Sequence, residues 1–140
     1  MRMGVFGGTF DPPHIAHRIV AQDALEALGL DRVLFVPASV PPHKRDRPRT
    51  AAPIRLEMLR ALLDDDARFE ISTLELDRDG PSYTVDTLRA LRRDRPGTAL
   101  HLLIGADQWR EFESWREPGA IEELARVCVL GRAGSGALSR

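Results

Sequence analysis

The chain has 140 residues, 43% of them apolar and 29% charged, which excludes disorder as the main state and suits one globular domain that needs no disulfide or structural metal. No apolar run approaches the ~18–20 residues of a membrane span, and Met1-Arg2-Met3-Gly4 leads straight into a glycine loop rather than a signal peptide. A net charge of −1 excludes a polyanion binder that works by bulk charge, so neither nucleic acid nor membrane is expected as a partner.

Met3 to Phe6 is a short apolar run ended by Gly7-Gly8. A helical pattern follows from Ile15, with Ile19, Val20, Leu25 and Leu28 on one face and Gly29 as its stop. Arg32 to Val36 is a second apolar run, bounded by Pro37. A loop rich in proline and arginine reaches to about Ala52, and Pro53 suits the first turn of a helix bearing Leu56, Leu59, Leu62 and Leu63. Phe69 to Leu76 alternates like a strand with one break. Ser82 to Asp86 opens a helix through Leu91, and Leu100 to Ile104 is a fourth strand ended by Gly105. Helical stretches from Asp107 toward Phe112 and across Ile121 to Ala125 lead to a fifth strand, Val127 to Leu130.

No repeat or linker divides the chain. Residues 1–132 read as one α/β domain, and 133–140 as a flexible glycine-rich tail. The single cysteine, Cys128, lies in the fifth apolar run and reads as a core residue of a cytoplasmic, reducing environment. Strand and helix alternate, and the strands are continuously apolar, as strands buried on both faces should be. This predicts a doubly wound parallel sheet with helices on both sides. Ligands of such sheets sit beyond the carboxyl ends of the strands.

The strongest signal follows the first strand: Gly7-Gly8-Thr9-Phe10-Asp11-Pro12-Pro13-His14-Ile15-Ala16-His17. Glycines let backbone N–H groups approach an anion, and the helix start adds further donors. His14 and His17 are three apart, so two imidazoles can share a face and meet phosphate oxygens. A solvated pair and a metal pair are the alternatives, although no third ligand stands nearby in sequence. The segment is neither a Walker loop nor a dinucleotide fingerprint. Of the 20 basic residues only Lys44 is lysine; it is either a mobile phosphate contact or a solvated loop charge flanked by Arg45, Arg47 and Arg49.

Gly8-Thr9-Phe10-Asp11-Pro12 followed by His14-x-x-His17 resembles the signature of the nucleotidyltransferase superfamily, with Ala16 where that family usually has glycine. Pro41-Pro42-His43-Lys44, Ser82 to Leu88, Ile104 to Asp107 and Phe112-x-x-Trp115 resemble, in order and spacing, the bacterial nicotinate-nucleotide adenylyltransferases. The resemblance runs from Met3 to about Arg132.

It implies a Rossmann-like fold and adenylyl transfer from ATP to nicotinate mononucleotide. It further implies His14, His17 and Lys44 as catalytic groups. ATP would be bound by Gly8, Thr9, Phe10, His17, Gly105 and Asp107, and the mononucleotide by Lys44, Thr84, Trp115 and Arg132. Mg²⁺ would ride on the ATP phosphates without a protein cage. The plainer readings are an N-cap for Asp107, a cap for Thr84, core packing for Trp115 and a tail arginine for Arg132. Trp109 and His101 read as structural.

The superfamily's late I-S-x-T-x-I-R segment is absent before Arg140, so a C-terminally shortened form is expected. Its fifth strand would have an exposed apolar edge that invites a homo-oligomer. Two alternatives stay open: a nucleotide-binding module without turnover, and another small nucleotidyltransferase such as pantetheine-phosphate adenylyltransferase. A fragment of a class I aminoacyl-tRNA synthetase fails on length and on the absence of an anticodon-binding region.

Overall fold

The computed structural model describes residues 1–39, 50–78 and 80–131, together with the backbone of 137–139. Its strands are β1 (Arg2–Gly8), β2 (Arg32–Pro37), β3 (Phe69–Ile71), β4 (Ala99–Gly105), β5 (Arg126–Leu130) and β6 (Ala137–Ser139). Its α-helices are α1 (Ile15–Ala27), α2 (Ala52–Leu63), α3 (Thr84–Asp94), α4 (Ala106–Arg110) and α5 (Pro118–Leu124), with a 3₁₀ turn at Phe112–Ser114. The sheet order is β3-β2-β1-β4-β5-β6. The first five strands are parallel, and β6 runs antiparallel to β5.

This is the doubly wound sheet that the alternation predicted. Apolar residues on its two faces form two cores. Met3, Val5, Leu34 and Val36 pack with Val85, Leu88 and Leu91 of α3 and Ile121 of α5. Val33, Phe35, Leu103 and Cys128 pack with Ala21, Ala24 and Leu25 of α1 and with Leu59 and Leu63 of α2. Consecutive strand residues thus point into opposite cores, which is why the strands read as unbroken apolar runs.

Four expectations are corrected. The strand across Phe69 to Leu76 stops at Ile71. There the Leu74 N–H donates to Ser72 Oγ at 3.2 Å, and the Thr73 hydroxyl and carbonyl engage Asp77, so local side-chain bonds replace the ladder. On α1, Ile15 and Ile19 are exposed, and the buried face is Ala21, Ala24 and Leu25. On α2 a charged residue, Arg55, is among the buried ones. The outer edge of β5 is not bare: Cys128, Val129 and Leu130 pair with Ser139, Leu138 and Ala137.

The site follows from where ladders end. β1 pairs with β2 as far as Gly8↔Pro37, but with β4 only as far as Phe6↔Leu103. β4 meanwhile stays with β5 to Gly105↔Leu130. The last two residues of β1 and β4 therefore part company, opening a crevice at the point where strand order reverses.

Candidate functional site at the carboxyl ends of β1 and β4

The first loop leaves β1 at Gly8 and enters α1 at His14. Phe10 has φ +48°, a left-handed conformation that is strained for an aromatic residue. Its ring is buried among Phe6, Phe35 and His17, with ring centres 5.7, 5.7 and 5.1 Å away. That anchorage holds the turn. It also crowds the glycine before it: a Cβ on Gly8 would lie 3.3 Å from the Phe10 ring. What Phe10 can offer a ligand is its backbone N–H, not its side chain.

The two histidines form a capping box. The Ala16 N–H donates to His14 Nδ1 at 3.3 Å, and the His14 N–H donates to His17 Nδ1 at 3.0 Å. This is the reciprocal arrangement usually made by Ser/Thr and Glu, here built from imidazoles at N-cap and third position. The rings lie 4.1 Å apart, tilted by 33°. Since each Nδ1 accepts a hydrogen bond, the neutral ring carries its proton on Nε2. Burial, and then the His14 ring, holds His17 below the ordinary histidine range, so His17 is neutral at pH 7. The pair presents two Nε2–H donors at the positive end of α1. The sequence showed the pair but not the capping, whose signal was the three-residue spacing at a helix start.

Gly105 is the N-cap of α4, and its N–H donates to Gln108 Oε1 at 2.9 Å. The N-cap reading of Asp107 is corrected accordingly. Its carboxylate is almost fully exposed and meets Arg110 at 2.7 Å. Since Phe6 faces Leu103, Gly8 and Gly105 each lie two residues further along neighbouring strands. The two loops therefore start level with each other on either side of the crevice.

Thr84 is the first residue of α3, behind the N-cap Tyr83, and no side chain caps this helix. The cap reading of Thr84 is corrected as well. The Asp86 and Thr87 N–H groups donate to the Tyr83 carbonyl, so the Thr84 and Val85 N–H groups precede the first helical bond. Trp115 is half-buried against the α3 core, its ring 5.3 Å from Phe112, which in turn lies 5.2 Å from Trp109. The Arg116 guanidinium stands 4.0 Å over the Tyr83 ring. His101 is buried beside Cys128, Nδ1 4.0 Å from Sγ, and burial followed by Arg2 and Arg126 lowers its pKa. Lys44 and Arg132 lie outside the described residues, as do Arg45, Arg47 and Arg49.

One residue escaped the sequence reading. Arg55 of α2 is 3% exposed, and its guanidinium donates to three backbone carbonyls: Thr50 at 2.9 Å, Thr9 at 2.9 Å and Ala38 at 2.8 Å. No pattern marked it among so many arginines. Among the described residues no group of three His, Cys, Asp or Glu side chains is placed to hold a metal ion. Nor is any described helix long and apolar enough to cross a membrane.

Known proteins resemble the chain in sequence and in fold. Residues 5–132 match the model of the cytidylyltransferase-like family. The chain is 48% identical over 134 residues to a Thermus thermophilus protein named "Probable nicotinate-nucleotide adenylyltransferase", spanning 96% of this chain and 71% of that protein. A Shouchella clausii protein of the same name is 42% identical, with 99% and 72% covered. The structure of Plasmodium falciparum nicotinic acid mononucleotide adenylyltransferase complexed with NaAD superposes with a TM-score of 0.72 at 15% identity, covering 93% of this chain and 74% of that one. At that identity the superposition speaks for the fold.

Proposed function

The chain belongs to the cytidylyltransferase-like family, and within it to the nicotinate-nucleotide adenylyltransferases; from that premise we propose that it transfers the adenylyl group of ATP to nicotinate mononucleotide. An oxygen of the mononucleotide phosphate attacks the α-phosphorus of ATP. The bond from that phosphorus to the β-phosphate bridging oxygen breaks, giving deamido-NAD and pyrophosphate. Two anions must be brought together, so the site has to supply oriented donors rather than a nucleophile.

The observation that carries the reading is the imidazole pair, whose Nδ1 atoms are both engaged by backbone N–H groups, leaving the two Nε2–H groups as donors at the start of α1 beside the crevice. In this reading His14 and His17 hold the ATP phosphates and the charge that grows on them in the transition state. Gly8, Thr9 and Phe10 contribute backbone donors and the Thr9 hydroxyl, and Lys44 adds a mobile positive charge. Gly105 and the exposed carboxylate of Asp107 take the ribose side of ATP. Thr84 with its neighbouring N–H groups meets the nicotinate carboxylate, Trp115 offers a face to the pyridine ring, and Arg132 meets the mononucleotide phosphate. Mg²⁺ enters as part of the substrate, on the ATP phosphates. The buried thiol of Cys128 suits a reducing cytoplasm.

The test is product formation. ATP with nicotinate mononucleotide should yield equimolar deamido-NAD and pyrophosphate, and neither substrate alone should. Product with phosphopantetheine in place of the mononucleotide would move the chain to a different adenylyltransferase. Tight binding of both nucleotides without product would reduce it to a binding module.

A further inference from the structure

The buried cation Arg55 belongs to α2 yet is bonded to the loop after β1. A guanidinium cannot shed its proton, and burying its charge is unfavourable unless hydrogen bonds replace water. Here Nε donates to the Thr50 carbonyl, at the start of α2, while one terminal nitrogen donates to both Thr9 and Ala38. Thr9 belongs to the loop after β1 and Ala38 to the residues after β2. The same segments are tied twice more: the Ala38 N–H donates to the Gly8 carbonyl at 2.8 Å, and the Thr50 N–H to the Asp11 carboxylate at 3.0 Å.

The grip on Thr9 has a direct consequence. In a planar trans peptide the carbonyl and the following N–H point in opposite directions. Pulling the Thr9 carbonyl onto Arg55 turns the Phe10 N–H away from it. It also holds the strained turn at Phe10, whose φ of +48° needs outside support.

We propose that Arg55 is a positioning residue for phosphate binding: its guanidinium locks the Thr9–Phe10 peptide in the orientation that presents the loop's N–H donors to the ATP phosphates. The proposal rests on the adenylyl-transfer reading for the identity of the anion. The planar fork matters as much as the charge. A lysine is a compact charge on a flexible stem and cannot span three carbonyls in fixed directions.

The experiment compares the full chain with Arg55→Lys and Arg55→Met, measuring ATP binding by calorimetry and amide exchange by mass spectrometry. The wild-type product assay described above tests the adenylyl-transfer reading separately. Arg55→Lys should bind ATP about tenfold or more weakly, given how steeply positioned donors lose value when misplaced. Exchange should rise in peptides covering residues 7–14 and 36–39 and stay unchanged in β4 and β5. Arg55→Met, if it folds, should show the same pattern more strongly. If it does not fold, the lysine variant decides. Wild-type ATP affinity in Arg55→Lys would overturn the proposal. So would a uniform rise in exchange that includes β4 and β5, since that marks a residue of general stability.

Discussion

The Thr87 hydroxyl donates to the Glu75 carboxylate across 2.7 Å, joining the turn after β3 to the first turns of α3. The bond ties a polar loop to the helix whose N-terminus carries Thr84. Arg78 reaches the same hydroxyl at 3.4 Å. Burial nonetheless dominates at Glu75 and pushes its carboxyl above the usual glutamate value, against the opposing effects of Thr87 and Arg78.

A raised carboxyl pKa means that the folded state binds the proton more tightly than the unfolded one. Stability from this group is therefore greatest below the ordinary glutamate pKa and falls as pH rises through the folded value. Glu75→Gln should remove that loss, leaving a protein more stable than wild type at pH 7 and no more stable at pH 4. Denaturant melts at the two pH values check this, and an equal shift at both would contradict it.

His17 separates capping from catalysis. His17→Ala should lower turnover by ~10²-fold, the scale for losing one preorganised donor. It should also destabilise the fold by about 0.5–2 kcal/mol, because a capping partner is lost. Glutamine is a natural third-position capping residue, so His17→Gln should recover most of the stability and little of the rate. Full recovery of both would remove the imidazole from the chemistry.

Protonating His17 puts a hydrogen on Nδ1 and breaks its bond from the His14 N–H. With the folded pKa lowered, this contribution to stability is present above the ordinary histidine value of about 6.5 and is lost as pH falls through the folded pKa. His101, shifted the same way, adds to the trend. Glu75 acts in the opposite sense, so in the Glu75→Gln background the melting temperature should drop as pH is lowered from 7 toward 5, and adding His17→Gln should flatten part of that slope.

The parallel, doubly wound sheet was legible because buried parallel strands leave unbroken apolar runs between helical stretches, and the first loop stood out because its glycines and paired histidines fall where a strand gives way to a helix. Helix faces were less legible. Ile15 and Ile19 look like core residues but lie exposed, while small Ala21 and Ala24 are fully buried. Arg55 was not legible at all, since a helical arginine normally points to water and only the fold shows the carbonyls around it. The end of β3 depended on Ser72 and Thr73 choosing local bonds over the ladder, a contest that composition does not decide.

Gly8 tests the first turn. Its Cβ position lies 3.3 Å from the Phe10 ring, and that ring is boxed in by Phe6, Phe35 and His17. Gly8→Ala should therefore cost about 1–3 kcal/mol, the range for overpacking, and weaken ATP binding with it. Gly8→Ala with Phe10→Leu should regain part of the stability by freeing space. A single variant as stable as wild type would show that the ring can move aside.

The choice between nicotinate and nicotinamide mononucleotides turns on the start of α3. The Thr84 and Val85 N–H groups come before the first helical bond and sit at the positive end of the helix dipole. A carboxylate there gains charge-assisted bonds, roughly twice as strong as those to a neutral amide. The acid form should bind at least about tenfold more tightly, or ~1.4 kcal/mol, by calorimetry. Proline supplies a clean probe, because it removes one N–H and is tolerated at the first helical position. The preceding residue, Tyr83, already has the extended backbone that proline requires, with φ −115° and ψ 142°. Thr84→Pro should keep the fold and lose most of the preference for the acid, whereas Thr84→Val, which keeps the N–H and removes the hydroxyl, should retain most of it. Equal binding of the two mononucleotides by the wild-type chain would move the carboxylate away from α3.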